Sequence, residues 1–128
     1  GLVAGFLGSL STGGFPAGVL LLGDVSLLHD LDGLTLASAY GDGPPALIVV
    51  IDNGGGRIFE RLPIASTELF RGPQGKHWLT PHGVDFAGLA QAFGLRYARA
   101  DALHELVSEL ETAASRRGVS LVVASSSR

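Results

Sequence analysis

The sequence predicts an α/β fold built on a mostly parallel sheet with helices on both faces. Short apolar runs that end in turn residues, at Val19–Leu22, Ala46–Ile51 and Val119–Val123, read as buried strands. Segments with helical spacing separate them, and strands alternating with helices pair in parallel through right-handed crossovers. Hydrophobic residues make up 46% of the 128 and charged residues only 16%, as suits a sheet covered on both sides.

Taken in order, Leu2 to Ser11 has small and apolar residues on all sides and is expected to be a buried helix. Thr12 to Gly18 is a turn. Val19 to Leu22 is a strand stopped by Gly23. Leu27 to Tyr40 places Leu27, Leu28, Leu31, Leu34 and Leu36 at helical spacing, interrupted by Gly33. Gly41 to Pro45 is a loop, and Ala46 to Ile51 is the clearest strand, β-branched and bounded by turn residues. From Asp52 to Pro81 there is little periodicity, and an unstructured stretch of that length in a compact domain points to function. Asp85 to Phe93 reads as a helix ended by Gly94, and Leu95 to Ala98 as a short strand. Asp101 is expected to cap a helix running to about Arg117, with Leu103, Leu106, Val107 and Leu110 on one face. Arg116-Arg117 would then suit its C-terminus, ahead of Gly118. Val119 to Val123 is the last strand, and Ala124 to Arg128 a frayed tail that includes Ser125-Ser126-Ser127. Nothing divides the 128 residues into more than one domain.

Composition narrows the function classes. No apolar stretch approaches the roughly 20 residues of a membrane span, so no span is expected. Gly1 to Gly14 lacks a basic leader region and reads as core helix. A start without Met suggests a segment of a longer chain. Without Cys there is no disulfide or thiolate metal site, which fits a cytoplasmic location. A net charge of −3 with scattered Lys and Arg offers no footprint for nucleic acid.

Two segments carry chemistry. Gly23-Asp24-Val25-Ser26 follows the first strand, and Asp52-Asn53-Gly54-Gly55-Gly56 follows the second. In open α/β sheets ligands bind beyond the carboxyl ends of strands, where both segments lie. Magnesium takes one or two carboxylates, other oxygens and substrate phosphates. Asp24 can supply the carboxylate, Asn53 a side-chain oxygen, and a loop glycine a carbonyl. The glycines allow close approach to phosphate, and N–H groups after Gly23 can face it. Either segment alone could be only a turn and a helix cap; the pair at two strand ends favours a cation with a diphosphate. Asp52 could compete with Asn53 for the cation or order the loop.

Gly-Asp followed after a crossover by Asn resembles the thiamine diphosphate motif of the decarboxylase and synthase superfamily. Three segments narrow the likeness: 23–34, Asp52-Asn53-Gly54-Gly55-Gly56-Arg57-Ile58-Phe59, and Thr80-Pro81-His82-Gly83-Val84-Asp85-Phe86. With these, essentially the whole chain resembles the C-terminal domain of the MenD family, the 2-succinyl-5-enolpyruvyl-6-hydroxy-3-cyclohexene-1-carboxylate (SEPHCHC) synthases of menaquinone biosynthesis. The resemblance implies a thiamine diphosphate-binding (PP-type) domain. It implies a Mg2+ (or Mn2+) site with Asp24 and Asn53 as side-chain ligands and Gly55 as a carbonyl ligand. It puts Gly23, Val25, Ser26, Gly54 and Gly56 around the diphosphate, and Ile58 and Phe59 in an apolar wall near the thiazolium and second substrate.

The activity it implies is decarboxylation of 2-oxoglutarate and addition of the succinyl unit to isochorismate. The family's catalytic glutamate lies in an N-terminal domain and reaches the cofactor from a second subunit. No catalytic residue is therefore expected here, the domain alone should be inactive, and the parent should be a homo-oligomer. The family often has Asn where this chain has Asp32, which is expected to face away from the diphosphate. Other classes stay open: another thiamine enzyme, such as an acetolactate synthase relative, or a non-catalytic phosphate-binding module.

Arg57 could hold a substrate carboxylate or simply be solvated. His82 is expected either to contact substrate or order its loop near the site, or to make only a local hydrogen bond. His29 reads as a helix-surface or interface residue rather than an active-site one, His77 and His104 as solvated, and Trp78 as a packing anchor. No His cluster with metal-ligand spacing is visible.

Overall fold

The computed structural model describes residues 1–126. Its four strands, β1 (Gly18–Gly23), β2 (Ala46–Asp52), β3 (Arg96–Ala100) and β4 (Val119–Ser125), form one sheet in the order β1-β2-β4-β3. Every neighbouring pair is parallel, as the alternation of strands and helices requires. β2 and β4 occupy the centre, and their residues are buried on both faces, which is why they read as continuous apolar runs rather than alternating ones.

Helices cover both faces. Leu22, Ile48, Val50, Leu121 and Val123 join the larger core with α1 (Leu2–Ser11), α2 (Asp24–Leu28) and α6 (Phe86–Ala92). Leu47, Val49 and Val122 pack on the opposite face against Leu106, Leu110 and Ala113 of α7 (Leu103–Ala114). Register puts Val19 and Leu21 of β1 beside Leu47 and Val49, on the α7 face. That helix does not reach them: Val19 is 63% and Leu21 65% exposed.

The helix expected over 27–40 is broken. α2 starts three residues earlier, at Asp24, a 3-10 turn spans Leu31–Thr35, and α3 covers Leu36–Tyr40. Two tertiary demands explain the break. Asp30 turns its buried carboxylate to the N–H of Val3, satisfying an orphan donor in the first turn of α1. Gly33 passes so close to α1 that a Cβ there would lie 2.8 Å from Val3 Cβ.

Asp101 does not cap α7. Its carboxylate is held by Arg99 Nε at 3.0 Å, and Glu105 instead accepts from the backbone N–H of Asp101 and Ala102 at 2.9 and 3.2 Å. α7 also ends at Ala114, before the arginine pair. Arg117 donates from Nε to Asp42 O at 2.8 Å, tying the approach to β4 to the 41–45 loop. β3 lies one to two residues later than Leu95–Ala98. Ala124 and Ser125 belong to β4 rather than to a tail, while Ser127 and Arg128 lie outside the described residues.

Candidate cation and diphosphate site

The two motifs meet at the carboxyl ends of β1 and β2. Gly23 pairs with Ile51 in the sheet, so the chain leaves both strands side by side. Asp24 is the first residue of α2 and is 2% exposed. Its Oδ1 accepts from Val25 N at 2.7 Å. Its Oδ2 accepts from Asn53 N at 3.2 Å, Gly55 N at 2.9 Å and His82 Nε2 at 3.1 Å. Burial pushes this carboxyl up, but the bonds from Val25, His82, Gly55 and Asn53 together outweigh burial and hold it below the ordinary Asp value. Asp24 is therefore a carboxylate kept ionised inside the protein.

Backbone donors of the second motif from Asn53 to Gly56 are all taken up within the protein. Besides Asn53 and Gly55, Gly54 N donates to Asp52 Oδ1 at 3.1 Å and Gly56 N to Leu79 O at 2.6 Å. Asp52 thus orders the loop, the second of its two expected roles, though a carboxylate oxygen of it also lies within 4.8 Å of ligand atoms of Asp24 and His82.

An orphan acceptor tests the site for a cation. Asn53 Oδ1 is buried and has no hydrogen-bond partner among the described residues. A buried acceptor without a donor costs about 1–3 kcal/mol, and a cation would relieve it. Gly55 O accepts from Arg57 N at 2.8 Å and keeps a second lone pair. An ionised carboxylate, an unpartnered amide oxygen and a carbonyl are all hard oxygen donors, the set that magnesium prefers. Asp24, Asn53 and Gly55 fit that group.

The glycine loop is held against a second loop. Gly55 has φ +138, and a Cβ on it would lie 2.3 Å from Leu79 O; one on Gly56 would lie 2.7 Å from Trp78 O. Between these two contacts the long connection makes a closed excursion. It is not structureless: it contains five short helical turns, at Arg57–Arg61, Pro63–Ser66, Glu68–Arg71 (α4), Pro73–Gly75 and Lys76–Leu79 (α5). Each is too brief to repeat a helical period, which is why the sequence shows none.

The remaining candidates sort clearly. Gly23 and Ser26 are exposed and Val25 half-buried beside Asp24. Ile58 is 67% exposed, whereas Phe59 packs edge-on to Trp78 with ring centroids 5.6 Å apart. Arg57 donates from Nε and Nη2 to Glu60 Oε2 at 2.9 and 2.8 Å. An open cleft of about 420 Å³ is lined by Asn53, Arg57, Ile58, Glu60, Arg61 and Ser126. Sequence reading missed Glu60 and Arg61, whose spacing of three and four from Arg57 is the only signal they carried. Asp32 is exposed and its carboxylate accepts from Gly33 N at 3.0 Å. His29, His77 and His104 are exposed.

Likeness to known proteins places the chain in a family. The chain is 46% identical over 97% of its length to the SEPHCHC synthase of Sorangium cellulosum, spanning 20% of that protein. It is 34% identical over 95% of its length to the synthase of Shewanella halifaxensis, and 39% over 86% to that of Corynebacterium diphtheriae. It spans about a fifth of the length of these curated relatives. Among solved structures, benzoylformate decarboxylase from Polynucleobacter necessarius superposes with a TM-score of 0.75 at 23% identity, over 97% of this chain and 22% of that one. A thiamine diphosphate-dependent 4-hydroxybenzoylformate decarboxylase from Rhodococcus jostii gives 0.73 at 21%, over 92% and 21%. At those identities the two structures speak for the fold. Residues 16–124 match the family described as thiamine pyrophosphate enzyme, C-terminal TPP binding domain, a span that holds β1 to β3, β4 up to Ala124 and both motifs, and the chain belongs to that family.

Proposed function

We propose that these residues are the thiamine diphosphate and magnesium domain of an SEPHCHC synthase, an enzyme that decarboxylates 2-oxoglutarate and adds the succinyl unit to isochorismate. The observation that carries the reading is the 46% identity to the Sorangium cellulosum synthase over 97% of this chain.

In this reading Asp24, Asn53 and Gly55 hold Mg2+ (or Mn2+) against the diphosphate, and Gly23, Val25, Ser26, Gly54 and Gly56 surround it. The cofactor, when bound, supplies the nucleophilic carbon and the electron sink for decarboxylation. Ile58 and Phe59 offer an apolar surface that keeps water from the reacting groups, with Phe59 braced by Trp78. Arg57 orients a substrate carboxylate. The catalytic glutamate comes from an N-terminal domain of a second subunit, so the domain alone is inactive. The exposed Val19 and Leu21 then pack against the rest of a cytoplasmic homo-oligomer.

Calorimetric titration of thiamine diphosphate with Mg2+ into the full-length enzyme and its Asp24→Ala variant tests this, alongside assays of 2-oxoglutarate decarboxylation and isochorismate consumption. Binding lost in the variant, with both substrates consumed by the parent, is the expected result. Binding without isochorismate turnover would move the protein to a sister thiamine enzyme. No binding by the parent would remove the cation site.

A further inference from the structure

We propose that His82 is a positioning residue for the cation-binding carboxylate. Its Nε2–H holds Asp24 Oδ2, leaving Oδ1 as the oxygen with acceptor capacity for the cation. The proposal rests on the reading of Asp24 as a cation ligand.

Counting donors leads to it. A carboxylate has about two lone-pair sites on each oxygen. Oδ2 receives three N–H groups, from Asn53, Gly55 and His82. Oδ1 receives one, from Val25. Oδ2 is saturated by the protein, and Oδ1 keeps a free site. Three of the four donors are backbone groups set by the strand ends and the glycine loop. His82 is the one side chain among them, and it reaches Asp24 from 58 residues away.

His82 is itself held. Its side chain is 12% exposed. Its ring stands edge-on to Phe86, with centroids 5.9 Å apart and planes at 88°. Val84 N faces Nδ1 at 3.5 Å, so Nδ1 is the acceptor nitrogen and Nε2 carries the proton toward Asp24. The backbone before it supports a site-directed role. Thr80 has φ 40, the one non-glycine residue with positive φ among the described residues. Such strain persists where the surroundings enforce it, and here they are the loop on which Gly55 and Gly56 pack. The His82 loop and the Gly55 loop are thus clamped to each other, and both donate to the same oxygen. Partners that orient a metal ligand in this way commonly change metal affinity about 10- to 100-fold when removed.

The test uses the full-length enzyme with His82→Leu and His82→Gln, since the glutamine amide can still donate. Calorimetry with Mg2+ and thiamine diphosphate, and Mn2+ binding by electron paramagnetic resonance, read affinity; thermal unfolding without ligands reads the fold. The leucine variant is expected to bind about tenfold or more weakly, with the glutamine variant recovering most of that loss. Unchanged affinity in the leucine variant would overturn the proposal and leave the cation site standing. Equal weakening in both variants, in step with equal loss of thermal stability, would also overturn it by reducing His82 to packing. Absence of cation-dependent binding in the parent would remove site and proposal together. Nitrogen NMR of His82 in the parent gives a test that needs no variant: an Nε2–H tautomer that responds to Mg2+ is expected, and an Nδ1–H tautomer would overturn the assignment.

Discussion

The carboxylate of Asp24 accepts a hydrogen bond from the backbone N–H of Gly55, 2.9 Å away and 31 residues along the chain. The strand-end motifs are therefore joined by a protein–protein hydrogen bond, and Asp24 serves the fold whether or not it holds the proposed cation. Asp24→Ala leaves the N–H groups of Val25, Asn53 and Gly55 without their acceptor. Each buried donor left unpaired costs about 1–3 kcal/mol, less where water enters. The variant should lose about 2 kcal/mol or more of unfolding free energy in denaturant titrations of the cofactor-free protein. Unchanged stability would show that water replaces Asp24 as the acceptor for these donors.

Neighbouring glycines give a sharper comparison. Gly54 has φ +81 and open space where a Cβ would stand, with nothing within 4 Å, so Gly54→Ala meets only backbone strain, about 1–2 kcal/mol. Gly55→Ala adds a collision with Leu79 O at 2.3 Å. It should therefore cost clearly more than Gly54→Ala and separate the two clamped loops. Thermal unfolding of the pair checks the order, and equal losses would mean that the contact with Leu79 relaxes freely.

How much of this was legible in the sequence depends on range. β2 could be read from Ala46–Ile51 because a strand buried on both faces needs only an apolar run with turns beside it. The placement of Asp24 and Asn53 followed from the strand ends and the parallel topology. What sequence reading could not reach are bonds made by folding itself. Asp30 breaks the predicted helix because it is needed at Val3, and Glu105 displaces Asp101 at the start of α7 because Arg99 takes the aspartate. The His82–Asp24 bond belongs to the same class. It follows the left-handed turn at Thr80 along the chain, and nothing local in Leu79-Thr80-Pro81 announces that conformation.

Acid should weaken the protein through Asp24. Its folded pKa lies below its unfolded value, because hydrogen bonds outweigh burial. A depressed carboxyl contributes stability that is complete above the unfolded pKa of about 3.9 and is lost as pH falls through the lower folded value. Urea unfolding of the cofactor-free protein should show stability falling from about pH 4 downward. Asp24→Asn, which cannot titrate, should show a shallower decline over that range. Parallel declines would assign the acid sensitivity to other carboxylates.

Glu60 sets the last expectation, through the ion pair it makes with Arg57. Both side chains are partly exposed, 28% for Arg57 and 37% for Glu60, so the pair contributes little to stability. Under the proposed function its importance is competition, since Glu60 occupies the guanidinium that would receive a substrate carboxylate. Glu60→Gln keeps the shape and removes the charge, so it should lower KM for the 2-oxo acid by several-fold, with unfolding free energy changed by less than about 0.5 kcal/mol. Arg57→Ala should raise KM by about tenfold, the cost of losing one charge-assisted contact of roughly 1.5 kcal/mol. Steady-state kinetics on the full-length enzyme separate the cases. A KM unmoved by both changes would leave Arg57 and Glu60 as partners of each other only, and would shift carboxylate recognition to Arg61 across the same cleft.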